Sequence, residues 1–380
     1  MNTNVRLFSV LGIMAVLLFP CKGILAATVP RQVVSLDGEW QIADGTLPTE
    51  IPVTFAHTVP VPGLANLARP AFKDVDAFIS RENMARRITY KLAPDDWLQK
   101  YWVGKVDQER NYFWYRTTFR APKQRAVALL KVNKAQFGTA VWLNGQKLGE
   151  YAGCFTASFF SIDKAISWDA ENTLVVRIGA HPAVLPDTFP AGSDFEKNKW
   201  TPGIYDSVSL IFCDNPAIES VQVAPRIAAG EIVVQTKVVN HSAIPIMTSL
   251  THVVKTWKKA KLAATGEPVT VALHPGEEKL FTQTIKVPDA HLWSPEDPFL
   301  YVVESSTGGD TATTRFGMRE FRFDAATKRA ILNGKIYYLR GSNITLHRFF
   351  EDPLCKSLPW NEKWVRKLLG DLPKKCTGII

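Results

Sequence analysis

The sequence predicts a mainly β chain: a sandwich or jelly roll over residues 33–216, a smaller immunoglobulin-like sandwich over 217–323, and one α/β unit over 328–380. From Val33 to about Pro216, short alternating or apolar runs are broken by Gly, Pro, Asn and Asp, the pattern of many short strands joined by turns. Near Ala217 the chain restarts with evenly spaced segments whose apolar residues recur at every second position, the period of a half-buried strand. After Lys328 a strand, a loop and a helical period follow.

The 380 residues are 46% hydrophobic and 21% charged, a globular balance that excludes intrinsic disorder. At about 150 residues per domain the length calls for two or three domains. Residues 1–26 carry Arg6 in a short polar start, an apolar run from Leu7 to Phe19, and small residues at Ala26 and Ala27, which together read as a secretory signal peptide. A membrane anchor needs about 20 apolar residues, and Pro20, Cys21 and Lys22 interrupt the run first. The mature chain is expected in the periplasm or outside the cell, with no membrane span.

In the first sandwich the clearest strands are Tyr112 to Arg120, Ala126 to Val132, Thr139 to Leu143 and Thr173 to Ile178. Asn144-Gly145 between apolar runs predicts a tight hairpin, because both residues tolerate positive φ. Of the aromatics Trp102, Tyr112, Phe113, Trp114, Tyr115 and Trp142, most are expected in the core, with Phe113 and Tyr115 facing away from Trp114. The second sandwich reads IESVQVAPRI, EIVVQTKVVN, LTHVVKTW, PVTVAL and KLFTQTIKVP, with Pro225 and Pro275-Gly276 expected at turns. Beyond it come a hairpin turn at Asn333-Gly334, a buried strand from Ile336 to Leu339, and a helix from Asn361 to Leu372 with Trp364, Val365, Leu368, Leu369 and Leu372 on one face.

Lys and Arg total 45 against 36 Asp and Glu, a formal charge of +9. No basic stripe interleaved with stacking aromatics appears, so nucleic acid is not an expected partner. The densest basic stretch, Lys255 to Lys261, reads as a solvated strand edge. Cys154, Cys213, Cys355 and Cys376 are far apart, without a C-x-x-C pair or a His cluster, so no metal site is expected and free buried thiols are the reading.

Three motifs in order resemble glycoside hydrolase family 2, the family of β-galactosidases, β-glucuronidases and β-mannosidases. They are SLDGEW with FWYRTTF and AVWLNGQKLGEYAGCFTASFFSID; WTPGIYDSVSL at Trp200 to Leu210; and LWSPEDPFLY at Leu292 to Tyr301 with RFGMREFRFD and ILNGKIYYLRGSN. The resemblance implies a retaining β-glycosidase with a jelly roll, an immunoglobulin-like sandwich and a (β/α)8 barrel, acting without a cofactor on a β-linked oligosaccharide or glycoside. Such chemistry takes two Glu carboxyl groups about 5 Å apart, which the family carries late in the barrel. Lys328 to Ile380 is far shorter than the roughly 250 residues of a barrel, so neither catalytic Glu is expected here and the chain is expected to be inactive alone.

The resemblance also implies substrate contacts. His347 follows Arg340-Gly341-Ser342-Asn343, two residues later than the family's Asn-x-His. Asn198 holds the position before Lys199-Trp200 where the family has an acidic residue, with Asp194 and Glu196 nearby. An Asn can hydrogen-bond a sugar hydroxyl but brings no charge to a metal. Asn361-Glu362 mimics the family's Asn-Glu acid/base pair, yet its position before a helix makes it a cap. A rival reading is a non-catalytic carbohydrate-binding or accessory protein of two β-sandwiches.

Overall fold

The computed structural model describes residues 31–73, 75, 81–96, 110–186, 188–189, 201–339 and 357–375. Two antiparallel sheets pack face to face in the first half. One runs, in spatial order, His57–Val61, Gly38–Gly45, Tyr112–Arg120, Glu171–Gly179, Thr139–Leu143 and Gln146–Tyr151. The other runs Gln32–Ser35, Val208–Cys213, Val127–Val132 and Ser158–Ser161. Trp40, Ile42, Phe113, Tyr115, Leu130 and Phe212 fill the space between them.

The segment Tyr112–Arg120 is apolar on successive residues because both of its faces are covered. Phe113 and Tyr115 enter the main core, while Trp114 turns the other way onto Trp142, Phe55 and Val175, its ring centroid 5.1 Å from that of Trp142. Asn144 and Gly145 take φ of 51° and 81° in the hairpin turn. The Asn144 side chain also ties neighbouring loops together, donating to the Ala165 carbonyl and the Asn172 side chain at 2.8 Å each and accepting from Thr173 N at 2.9 Å. A short helix, Arg81–Thr89, interrupts this otherwise β region. Its two large apolar residues, Met84 and Ile88, offer a single i,i+4 repeat, too little to register as a period.

In the second sandwich, Ala217–Arg226, Glu231–Val239 and Glu278–Lys286 make one sheet. The long strand Ile246–Thr256 organises the other, pairing with Leu262–Thr265, Val269–Leu273 and Tyr301–Ser306, the last of which carries Thr311–Phe316 on its far side. Ile232, Val234, Val254, Tyr301, Val303 and Met318 form its core. Cys154 and Cys213 are free and buried.

Three local expectations are corrected. Pro225 lies inside Ala217–Arg226, not at a turn; that strand is the outer member of its sheet, where a missing N–H costs no ladder bond. The strand carrying Lys255 is internal to its sheet, so Lys255 is no edge charge and instead pairs with Glu304; Lys258, Lys259 and Lys261 sit in the following turn. The segment after Asn333-Gly334 contributes only the strand Lys335–Ile336, and Ile336, Tyr338 and Leu339 are exposed, because the small sheet of Phe321–Asp324, Arg329–Leu332 and Lys335–Ile336 has no element over that side among the described residues.

The two sandwiches are joined by a polar clamp. Asp310, buried at 1% exposure, accepts Arg31 Nε at 2.9 Å on one oxygen and Ile218 N at 2.7 Å on the other. Arg31 also donates to the Ile218 carbonyl, and Asp214 N donates to the Gly309 carbonyl at 2.9 Å. Arg31 precedes the first strand of the jelly roll, Ile218 opens the first strand of the second sandwich, and Asp310 comes from the turn between that sandwich's last two strands. The helix Glu362–Lys375 follows the turn Leu358–Trp360, whose Trp360 Nε1 donates to the Tyr205 carbonyl at 3.1 Å. Among the described residues no helix is long and apolar enough to cross a membrane.

Candidate functional site

The expected substrate contacts Asp194, Asn198 and His347, and Glu196 beside them, lie outside the described residues, as do Trp102, Cys355 and Cys376. The described chain flanks Asp194, Glu196 and Asn198 at Phe189 on one side and Thr201 on the other. Thr201 is buried and its carbonyl accepts the Gln136 side chain, which seats the short sheet of Gly63–Leu64, Gly203–Ile204 and Ala135–Gln136 at this end of the jelly roll. Tyr205, just beyond, donates its hydroxyl to the Cys154 carbonyl at 2.5 Å. Burial, with the neighbouring Cys154 and Asp206 adding to it, holds the Tyr205 hydroxyl protonated far above the ordinary phenol range.

Leading toward this end is a cleft of about 240 Å³ bounded by Tyr112, Phe137, Glu150, Tyr151, Arg177 and Leu185. Strand alternation explains its chemistry. Arg177 is registered opposite Trp114 and Ala140, so it stands on the sheet face that also carries Trp142 and Val175. Its guanidinium lies over the Tyr112 ring at 4.5 Å and 5.9 Å from the Trp142 ring, reaches Glu150 at 3.5 Å, and donates to the Pro48 carbonyl. Lys147 completes the group at 2.6 Å from Glu150. The hydrogen bond from Lys147, helped by the charge of Arg177, holds the Glu150 carboxyl below the ordinary carboxylate range, while burial lowers Arg177 from its usual value.

The wall of the cleft depends on a close approach at Gly179. A Cβ there would meet Val184 Cγ2 at 2.2 Å and the Phe137 carbonyl oxygen at 2.7 Å. Gly179 N donates to that same carbonyl at 2.8 Å, which holds the turn Pro182–Val184 against the sheet.

Chemically the cleft is a binding surface. One carboxylate and two cations beside an aromatic ring can hold a pair of sugar hydroxyls, since ionised partners make the stronger hydrogen bonds. Its lining carries a single carboxyl group, Glu150, so it lacks the two-carboxyl arrangement of a retaining glycosidase. Among the described residues no three His, Cys, Asp or Glu gather where a metal could be held. Of the six aromatics considered from sequence, Phe113, Trp114 and Tyr115 are fully buried, whereas Tyr112 and Trp142 meet the charged group at the cleft. Glu150 and Arg177 were not anticipated; the available signal was an Arg between Val176 and Ile178 in a strand otherwise apolar.

The family model described as glycosyl hydrolases family 2 matches residues 217–319, and the one described as beta-galactosidase second all-beta domain matches residues 92–181. A beta-galactosidase of Bacteroides ovatus is 25% identical over 282 residues, covering 70% of this chain and 31% of that protein. The beta-galactosidase large subunit of Leuconostoc lactis is 25% identical over 338 residues, covering 81% and 50%. A beta-glucuronidase of Formosa agariphila is 24% identical over 335 residues, covering 79% and 31%. The chain thus spans about a third to a half of the length of these relatives. Among solved structures, a Bacteroides uniformis beta-glucuronidase superposes with a TM-score of 0.57 at 23% identity over 82% of this chain and 35% of its own. A beta-galacturonidase from Eisenbergiella tayi gives 0.54 at 19% identity over 81% and 46%. With two β-sandwiches present in the structure and the relatives aligned over most of the chain, this chain is similar to glycoside hydrolase family 2, whose model matches its second sandwich.

Proposed function

We propose that this chain supplies the β-sandwich domains of an exported retaining β-glycosidase, and that its 380 residues bind a β-linked saccharide without hydrolysing it on their own. The observation that carries the reading is the succession, along one chain, of a β-galactosidase all-β match at 92–181 and a family 2 match at 217–319. The named relatives are β-galactosidases and a β-glucuronidase, so the substrate class proposed is a β-glycoside. Double displacement needs two carboxyl groups about 5 Å apart, and in the family both come from late in a barrel of which residues 328–380 are the start. Residues 1–26 direct export, and Asp194, Asn198 and His347 contact the sugar.

The test is incubation of the purified chain with aryl β-galactoside, β-glucuronide and β-mannoside, beside calorimetric titration with the corresponding uncoloured glycosides. The expected result is binding without release of the aryl group, with affinity lowered about tenfold by Arg177→Ala. Turnover abolished by Glu362→Gln would overturn the placement of the catalytic carboxylates. The second reading, an accessory carbohydrate-binding protein, is favoured by the single-carboxylate cleft at Glu150 and Arg177. Hydrolysis restored by adding a separately expressed family 2 barrel decides for the glycosidase over the accessory protein.

A further inference from the structure

A second cleft, of about 540 Å³, opens on the second sandwich between the turn after Ile246–Thr256 and the segment leading into Tyr301–Ser306. That volume is in the range of sites that take small ligands. Both walls are held by hydrogen bonds within the protein, so the cleft is preformed. On one side Thr256 N donates to the Lys261 carbonyl at 2.8 Å and Lys261 N to the Thr256 hydroxyl at 3.1 Å; across the gap, Trp257 N donates to the Leu300 carbonyl at 3.0 Å. On the other side His291 stacks on Phe299 with ring centroids 4.3 Å apart, and its Nε2 donates to Asp297 at 2.6 Å.

The chemistry of the two walls is complementary. Trp257, 43% exposed, stands among Lys258, Lys259 and Lys261, and Arg315 lies 4.4 Å over its ring. Among the described residues none of these three lysines forms a salt bridge, whereas Lys237, Lys255 and Lys286 of the same sandwich are each paired with a Glu. The facing wall offers aromatic surface at Phe299, the pair of His291 with Asp297, and a second carboxylate at Asp289, so the three lysines outnumber the two acids of the lining. Aromatic faces beside unpaired cations, opposite a group that can hydrogen-bond hydroxyls, match a sugar ring bearing a negative charge.

We propose that this cleft binds an anionic saccharide: the ring lies between Trp257 and Phe299, the acidic substituent meets Lys258, Lys259 and Lys261, and a hydroxyl bonds the His291–Asp297 pair. The acid can be a carboxylate or a sulfate, both of which present oxygens to ammonium groups. The inference does not depend on hydrolysis, or on the cleft at Arg177.

The experiment is calorimetric titration of the whole chain with an oligogalacturonate, a sulfated oligosaccharide of equal length, an uncharged galacto-oligosaccharide, and a single-stranded oligonucleotide of matched charge. Binding of one or both acidic saccharides is expected, and which of them binds more tightly identifies the acid. Affinity should fall at least thirtyfold in Lys258→Ala/Lys259→Ala/Lys261→Ala, whose side chains are exposed and whose melting temperature should stay unchanged. It should fall at least tenfold in Trp257→Ala. Binding of the uncharged saccharide with equal affinity and the same loss in the triple variant, unaltered binding of the acidic saccharides by the triple variant, or equal binding of the oligonucleotide with no dependence on Trp257 would each overturn the proposal.

Discussion

Removing the guanidinium of Arg31 should loosen the joint between the sandwiches more than any surface ion pair does. Asp310 is 1% exposed, and its two oxygens are satisfied by Arg31 Nε at 2.9 Å and Ile218 N at 2.7 Å, with a further contact from Arg31 Nη2. In Arg31→Ala the carboxylate keeps one main-chain donor and loses the counter-charge of Arg31 while remaining buried. Breaking a buried pair by removing one partner costs about 3–5 kcal/mol. Because the Arg31 side chain is 17% exposed, water can enter the space it leaves, and the lower end, about 3 kcal/mol, is expected. Asp310→Asn keeps an acceptor for Ile218 N and removes the buried charge, so it should cost about 1–2 kcal/mol. The double variant leaves no unpaired charge and should fall short of the sum of the singles by at least 1 kcal/mol, as neighbours in one network do. Urea unfolding at 25 °C, followed by tryptophan fluorescence, reads all three. A loss below about 1 kcal/mol in Arg31→Ala, or strict additivity in the double variant, would refute the reasoning.

Acid should destabilise the second sandwich through His252. The imidazole is 1% exposed, bonded at 2.8 Å to the Ser305 hydroxyl on the neighbouring strand, and burial brings its pKa down to about 4. Below pH 6.5 the unfolded chain takes up a proton that the native state refuses. Stability present above pH 6.5 should therefore be lost progressively down to about pH 4, by an amount on the order of 3 kcal/mol. His252→Gln should flatten that part of the profile, and an equal slope in both proteins would contradict the assignment. Gly179→Ala should cost about 2–3 kcal/mol by urea midpoint, since the new methyl overlaps Val184 and the Phe137 carbonyl and one of the two must move. A neutral effect would mean that the turn Pro182–Val184 is not held against the sheet.

The fold was legible wherever local chemistry and tertiary burial agree. Glu231–Val239 alternates buried and half-buried residues down its length, as the sequence pattern predicts for a strand covered on one face. Asn144-Gly145 and Asn333-Gly334 take positive φ at both residues, as their side chains permit. The helix Glu362–Lys375 starts where an Asn can cap it. Legibility failed where the outcome depends on neighbours distant in sequence. Ile336 and Tyr338 are apolar yet exposed, and Pro225 sits in a strand because that strand is the outer one of its sheet, where the missing N–H costs no ladder bond; neither the missing cover nor the outer position is written within ten residues of them.

Charged residues were harder to read than apolar ones, because a charge has meaning only through what faces it. Asn361-Glu362 illustrates the resolvable case: Asn361 Oδ1 accepts Trp364 N at 3.0 Å and Glu362 pairs with Arg366 one turn on, at 2.6 Å, so both side chains are engaged with their own helix. The lysines after Thr256 illustrate the other. As a string of letters, KTWKKAK contains one basic cluster, but the strand ends at Thr256 and divides it. Lys255 stays on the sheet and finds Glu304, while Lys258, Lys259 and Lys261 fall in the turn with Trp257, facing His291 and Phe299 some thirty to forty residues further along the chain. A strand boundary displaced by three residues would have paired or dispersed those charges. The position of Thr256 is therefore what converts a basic run into one wall of a cleft, and Trp257 N bonded to the Leu300 carbonyl is what brings the second wall to it.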